Sequence, residues 1–559
     1  LNYQLIGDNT YTDPIHTVLQ NRKLDKDVFY NLSEKVIIHH SNLKNIYKAV
    51  DCVLHHIKMQ SPIFVQVDPD CDGYMSAAIL INYLNKAFPE NKINWRVQED
   101  KTHGVIIETV PNESKLVIVP DAGSNEYEVH KELKSNGIDV LVIDHHESEF
   151  ESTDAIVVNN QLSDNYNNKM LSGAGMAYKF CKALDERLKV NFADDYLDLV
   201  AIGNIGDMMD LRSPETRFYV KEGLKKIRNP LIKEILDKQS YFLKGDVNIS
   251  FVAFSINPLI NASIRVGDLE EKKDLMKALL ESEEKVYYSR KKVYEPLITS
   301  VTRRIGNTRN RQKNALEKPV KLLLNKVKNE GKSNDKVIVL DYTGLLDTAL
   351  RGLVANQLSK RFKRPVLLGA LTEEGKVEGS ARGYEKGNIS DFKELLHKTG
   401  LFESCEGHSN AFGFTITPSN FKTLHNRLND FIDVPVNFDD KFDVDFIIPF
   451  TEMNPDIIEQ IYENDDEWGS TVEEPLIAIE EIEVNKSNIK IYKKRTSTFV
   501  IKLDGFKLSK PYYKGEFDQF FENGEESFFI NVVGRCKVQD NKYRFIEIVD
   551  LEVTGSFLF

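Results

Sequence analysis

Aspartates and histidines are the residues of this chain whose spacing could do chemistry. Asp68-Pro69-Asp70-Cys71-Asp72-Gly73 alternates carboxylates through a tight turn. Their oxygens then aim at a common point, which suits Mg²⁺ or Mn²⁺. The same opening begins an EF-hand calcium loop. That reading fails because the twelfth position, where a bidentate Glu is required, is Ile79, and because the run before the motif has strand character. Three further groups follow: Pro120-Asp121-Ala122-Gly123, Asp144-His145-His146-Glu147 and Gly203-Asn204-Ile205-Gly206-Asp207. Alone, each is compatible with a turn or a cap. Adjacent histidines point in different directions, so one is free to meet a metal while its neighbour faces a substrate. Leu54-His55-His56-Ile57, in a helical pattern without acids, reads as structural.

The elements that must position these groups form an α/β layer. Pro62–Asp68, Lys115–Pro120 and Ile138–Asp144 are apolar, strand-like runs, with Ala155–Val158 a fourth. Helical periodicity follows in Tyr74–Phe88, Gly173–Leu188 and Asp194–Ile205. Alternating strands and helices predict a largely parallel sheet, and such sheets bind ligands at the carboxyl ends of their strands. Three of the four groups sit at such ends. Asp268 to Asn329 reads as a long, charged, mostly helical connector, with breaks near Pro296, Gly306 and Pro319. A second α/β unit starts at Lys336, with a helix over Thr348–Phe362 and a strand over Pro365–Leu371. Beyond Phe438, strands near Leu476–Val484, Ile489–Tyr492, Thr498–Leu503, Phe528–Val538 and Tyr543–Val553 suit a small OB-like β-barrel. The expected division is 1–267, 268–335, 336–437 and 438–559.

The chain has 559 residues, 41% of them hydrophobic and 28% charged, which predicts several ordinary globular domains rather than one core. No apolar run approaches the roughly 20 residues that span a bilayer, and no secretory pattern opens the sequence. The five cysteines are scattered without a C-x-x-C pair and read as reduced thiols of a cytoplasmic protein. Lys-, Asn- and Ile-rich usage points to an AT-rich bacterial genome or a phage whose product works in the host cytoplasm. The net charge of −13 excludes indiscriminate coating of nucleic acid, yet Lys285 to Lys336 holds fifteen Lys/Arg against four Asp/Glu. That segment is either a solvated helix face or the wall of a basic channel.

Taken together, the order D-x-D-G, D-x-G, D-H-H and G-x-x-x-D resembles the DHH phosphoesterase superfamily, whose members hydrolyse phosphate esters with two divalent cations. The resemblance implies that Asp70, Asp72, Asp121, His145 and Asp207 are metal ligands, with Asp121 bridging both ions and Asp68 an additional candidate. It implies that His146 acts on the scissile phosphate, and that the cations are Mn²⁺ or Mg²⁺.

Later segments narrow the resemblance to RecJ-type exonucleases. Ile256–Arg265 resembles a RecJ segment in which Asn261 and Arg265 fill the polar positions. Gly379-Ser380-Ala381-Arg382 and Gly407-His408-Ser409-Asn410-Ala411-Phe412-Gly413 resemble the signatures of a DHHA1 domain, although Glu406 and Phe412 depart from its pattern. The resemblance spans residues 35 to 550 in the order DHH domain, connector, DHHA1 domain, OB-like domain. It implies a 5′→3′ exonuclease on single-stranded DNA that serves repair and recombination, with a single-strand-binding protein or a helicase as partner and no membrane association. Ser380 and Arg382 would meet the terminal phosphate, and Arg265, Asn261 and His408 would be further substrate contacts. The alternatives are a phosphodiesterase for short RNA or cyclic dinucleotides, and a non-catalytic RecJ-derived replication scaffold.

Overall fold

The computed structural model describes residues 1–240, 246–384, 387–433, 441–469, 471–493, 497–518, 522, 527–540 and 542–557. By internal contacts the chain divides into two compact units: 27–313 with 466–473, and 1–26 with 314–465 and 474–559.

The first unit is built on five strands: β1 (Ile63–Val67), β2 (Ile93–Val97), β3 (Leu116–Pro120), β4 (Asp139–Asp144) and β5 (Ile156–Asn159). All are parallel, in the order β2-β1-β3-β4-β5. β1 and β3 are buried along their whole length, as expected of strands covered on both faces. Helices α1 (Cys71–Ala87), α2 (Gly173–Leu188) and α3 (Leu197–Gly206) supply much of that cover. The same unit holds α4 (Asn257–Val266), which carries Asn261 and Arg265. Ile249–Val266 is the one helical stretch among the described residues that passes a length-and-composition test for crossing a membrane, and half of it is buried in the fold.

The connector departs from its expected form. It contains an antiparallel hairpin, β6 (Lys285–Tyr288) and β7 (Val293–Pro296), followed by one unbroken 33-residue helix, α5 (Leu297–Asn329). Of the three expected breaks, only the one at Pro296 is present. Val301, Ile305, Thr308, Gln312, Leu316, Leu323 and Val327 are buried at helical spacing on both sides of Gly306 and Pro319. A continuous packed stripe outweighs the local cost of those two residues.

The second unit has a mixed five-stranded sheet made of β8 (Ile338–Asp341), β9 (Val366–Leu371), β10 (Val377–Arg382), β11 (Phe402–His408) and β12 (Ala411–Ile416), in the order β11-β12-β10-β9-β8. Its second sheet joins β13 (Phe446–Pro449), β14 (Leu476–Asn485), β15 (Ile489–Lys493), β16 (Ser497–Lys502), β17 (Lys507–Pro511), β18 (Ser527–Gln539) and β19 (Tyr543–Phe557), in the order β13-β14-β18-β19-β17-β16-β15. The end strands β13 and β15 do not pair with each other among the described residues. Where a small barrel was expected, the strands form an open seven-stranded sheet. The parallel strand β13, absent from the strands expected beyond Phe438, extends one edge. The expected boundary at 437/438 lies outside the described residues. All five cysteines are free thiols.

Candidate metal centre and phosphate pocket

The parallel sheet delivers its acids to one edge. β1 ends one residue before Asp68, and Asp70 caps α1, its side chain accepting the Gly73 N–H at 3.0 Å. β3 ends beside Asp121, whose backbone is left-handed (φ 69°), a strained geometry found mainly where a side chain must be aimed. β4 ends on Asp144-His145-His146, and α3 terminates at Asp207.

The four groups that were separate in sequence converge. His145 Nε2 lies 3.2 Å from Asp121 Oδ1, 3.5 Å from Asp207 Oδ2 and 4.0 Å from Asp72 Oδ2. Donor atoms of Asp72, His145 and Asp207 lie within 4.8 Å of one another, and so do those of Asp68, Asp70 and Asp121. Two glycines permit this crowding. A Cβ at Gly173 would sit 2.2 Å from Asp121 Oδ1, and one at Gly203 would sit 2.4 Å from Asp72 Oδ1.

So many buried carboxylates repel one another. Burial, and then the neighbouring Asp207, push Asp72 up to about 7. Burial followed by Asp72, Asp70, Asp68 and Asp207 holds Asp121 well above the usual carboxylate range. Asp72 is eased by Ser172 Oγ and the Gly173 and Ala174 N–H groups at the start of α2, at 2.8, 2.6 and 3.2 Å. Asp121 Oδ1 is buried without a hydrogen bond among the described residues. Oxygen-rich, imidazole-poor donors that destabilise one another fit a hard divalent cation, which would relieve that repulsion.

The two histidines face different surroundings. His145 is buried against the acids, while the His146 side chain is 45% exposed. His146 Nδ1 is held at 2.8 Å by buried Asp144 Oδ1. Burial opposes charging of His146, but the Asp144 charge and hydrogen bond prevail and raise it to about 10. Asp144 in turn accepts the Ser124 N–H at 3.1 Å and is held far below the usual carboxylate range: burial raises it, and His146 more than reverses that.

Arg265 stands close enough to feel Asp70. Burial lowers its pKa, and the carboxylate counteracts. Asn261 is on the same helix, half-buried. In the second unit, Ser380 and Arg382 alternate on β10 and so share a face of the sheet. Register places Arg382 opposite Ala411, which itself pairs with His408, so Arg382 and His408 fall in one row with a single strand between them. A Cβ at Gly352 would meet Arg382 Nη2 at 2.5 Å, so the opening of the helix Arg351–Phe362 lies against this guanidinium.

Sequence reasoning missed several residues. His103 Nδ1 lies 2.7 Å from Asp68 Oδ2. Asn257 touches Cys71 Sγ at 3.7 Å from the neighbouring helix. Thr471, more than 250 positions from Asp207 in sequence, donates to Met209 O and accepts the Leu211 N–H, both at 3.1 Å. No periodicity or motif signals contacts of that kind.

Strand ends that crowd carboxylates around one imidazole make a candidate divalent-metal site on an α/β fold. A family model described as the DHH family, N-terminal domain, matches residues 62–204. The chain is 45% identical to the SPbeta prophage-derived single-strand DNA-specific exonuclease YorK of Bacillus subtilis (strain 168), whose name marks the activity as inferred; the match covers all of this chain and 99% of that one. It is 28% identical to the single-stranded-DNA-specific exonuclease RecJ of the same organism, over 70% of this chain and 48% of that one. RecJ from Thermus thermophilus, solved in complex with Mn²⁺, superposes with a TM-score of 0.73 at 22% identity, covering 99% of this chain and 78% of that one. The chain belongs to the RecJ-like branch of the DHH superfamily.

Proposed function

We propose that this protein is a metal-dependent exonuclease that hydrolyses phosphodiesters of single-stranded DNA from the 5′ end. The observation that carries the reading is the convergence of two acidic groups, Asp68/Asp70/Asp121 and Asp72/His145/Asp207, on the short Asp121–His145 contact of 3.2 Å. Asp121 belongs to one group and touches the other, as a carboxylate shared by two cations would. Asp70, Asp72, His145 and Asp207 complete the ligand set, with Asp68 as a further carboxylate. Two Mn²⁺ or Mg²⁺ ions held there would activate water and stabilise charge on the scissile phosphate.

The chain's own groups do the rest. His146, kept protonated by Asp144, faces outward and holds its proton toward a phosphate oxygen. Arg265 and Asn261 on α4 contact the strand beside the metal acids. Ser380, Arg382 and His408 bind the terminal phosphate on the β10 face, where a guanidinium can form two parallel bonds. This reading keeps the four-part organisation 1–267, 268–335, 336–437 and 438–559, with the open C-terminal sheet as its last part.

Digestion of 5′- and 3′-labelled single strands in Mn²⁺, beside short RNA and cyclic dinucleotides, tests the reading. Release of 5′ mononucleotides from single-stranded DNA is expected. Faster turnover of cyclic dinucleotides, or no metal-dependent hydrolysis at all, would overturn it.

A further inference from the structure

The β6–β7 hairpin carries none of the candidate metal ligands. A two-stranded ribbon standing alone is marginal in water, so its faces need partners. One face has them. The Arg303 guanidinium from α5 stacks 3.7 Å from the Tyr288 ring and pairs with Glu295, both on that face.

The opposite face is open. Register sets Tyr287 directly across from Tyr294, with Lys285 two positions along the same face. The two rings lie 5.4 Å apart, tilted by 56°, and the residues are 56% and 72% exposed. The turn beyond them is Ser289-Arg290-Lys291-Lys292, fully cationic apart from its serine, and exposed throughout. From Lys285 to Tyr294 the hairpin carries four cations and no acid, immediately after Glu281, Glu283 and Glu284, in a chain of net charge −13. The local sign is therefore placed there against the overall balance.

We propose that this face is a docking platform for single-stranded nucleic acid, with Tyr287 and Tyr294 stacking on bases and Lys285, Arg290, Lys291 and Lys292 following the phosphates. Exposed aromatics flanked by cations are the combination that unpaired strands recognise, because every base offers a π-face and every linkage a charge. An acidic protein would satisfy the cations but not the paired rings. A duplex would hide its base faces from them. The proposal rests on the single-strand reading above and adds a contact outside both the metal centre and the terminal-phosphate pocket.

The test titrates the full chain, without divalent cations so that no hydrolysis starts, into a fluorescently labelled oligonucleotide of about 12 nucleotides, with anisotropy reporting Kd. Tyr287→Ala combined with Tyr294→Ala is expected to weaken binding about 10-fold, which is about 1.4 kcal/mol and within the range for base–aromatic stacking. Tyr287→Phe with Tyr294→Phe keeps both rings and is expected to restore wild-type affinity. Gln at Arg290, Lys291 and Lys292 together is expected to lower the slope of log Kd against log salt by about two, since each phosphate contact on a single strand contributes about 0.7. Melting temperatures of all variants report folding. Unchanged single-strand affinity in the Ala pair overturns the platform while leaving the exonuclease reading intact. An equal loss on duplex of the same length overturns stacking. Failure of the wild-type chain to bind or cleave single strands overturns the exonuclease reading and the platform with it.

Discussion

Asp144 and His146 form a pair in which a buried carboxylate holds a half-exposed imidazole at 2.8 Å, two residues on in the same chain. The carboxylate raises the folded pKa of His146, so the protonated form persists below that value and is lost as pH rises through it. Asp144→Asn removes the cause, and the imidazole falls toward its ordinary range. The alkaline limb of kcat is therefore expected to move to lower pH, with the ratio of variant to wild-type rate falling between pH 6 and pH 9. A ratio flat across that range would remove His146 as the proton holder.

Asp121→Asn separates metal binding from activity. The variant relieves like-charge crowding among Asp72, Asp70, Asp68 and Asp207, so its metal-free melting temperature is expected to rise above that of wild type. Asn also tolerates the left-handed backbone at this position. Wild type is expected to be stabilised by Mn²⁺, as any ligand that binds only the folded state must do, and the variant far less. Hydrolysis should vanish in Mg²⁺ and Mn²⁺ alike. Calorimetric titration showing wild-type Mn²⁺ affinity in the variant would refute a shared carboxylate.

Arg382→Ala tests end recognition. A terminal phosphate carries more charge than an internal diester, and one charge-assisted bond is worth about 1.5–3 kcal/mol. The preference for 5′-phosphorylated over 5′-hydroxyl single strands is expected to fall about 10- to 150-fold in kcat/KM, with slow metal-dependent cleavage retained. Initial rates on matched oligonucleotides measure it. A preserved ratio would move end recognition to Arg265.

Thr471→Val asks whether a distant hydroxyl steadies Asp207. Its bonds to Met209 and Leu211 brace the loop that follows the candidate ligand. Losing them is expected to speed amide exchange at Leu211 and to weaken Mn²⁺ binding about 3- to 10-fold, given about 1 kcal/mol per bond. Thr471→Ser should restore both. Faster exchange with unaltered Mn²⁺ affinity would leave Thr471 a structural residue only.

The candidate ligand groups were legible because each sits where a local pattern ends: Asp68, Asp121 and His145 after apolar runs, Asp207 after a helical one. Alternation and periodicity are short-range properties, and they set the parallel sheet and its working edge before any contact is known. The same logic failed at Gly306 and Pro319, where helix continuity is decided by side chains that bury Ile305, Leu316 and Leu323 rather than by local propensity.

What the sequence by itself determined was the set of chemical groups and the order of the elements that carry them. Tertiary structure alone decided which groups meet. The 3.2 Å approach of His145 to Asp121 and the reach of Thr471 to Met209 each join positions whose spacing in the chain carries no period. It also decided that the C-terminal strands form an open sheet, because whether strands close depends on which edges find partners, and β13, absent from the expected strands, extends an edge.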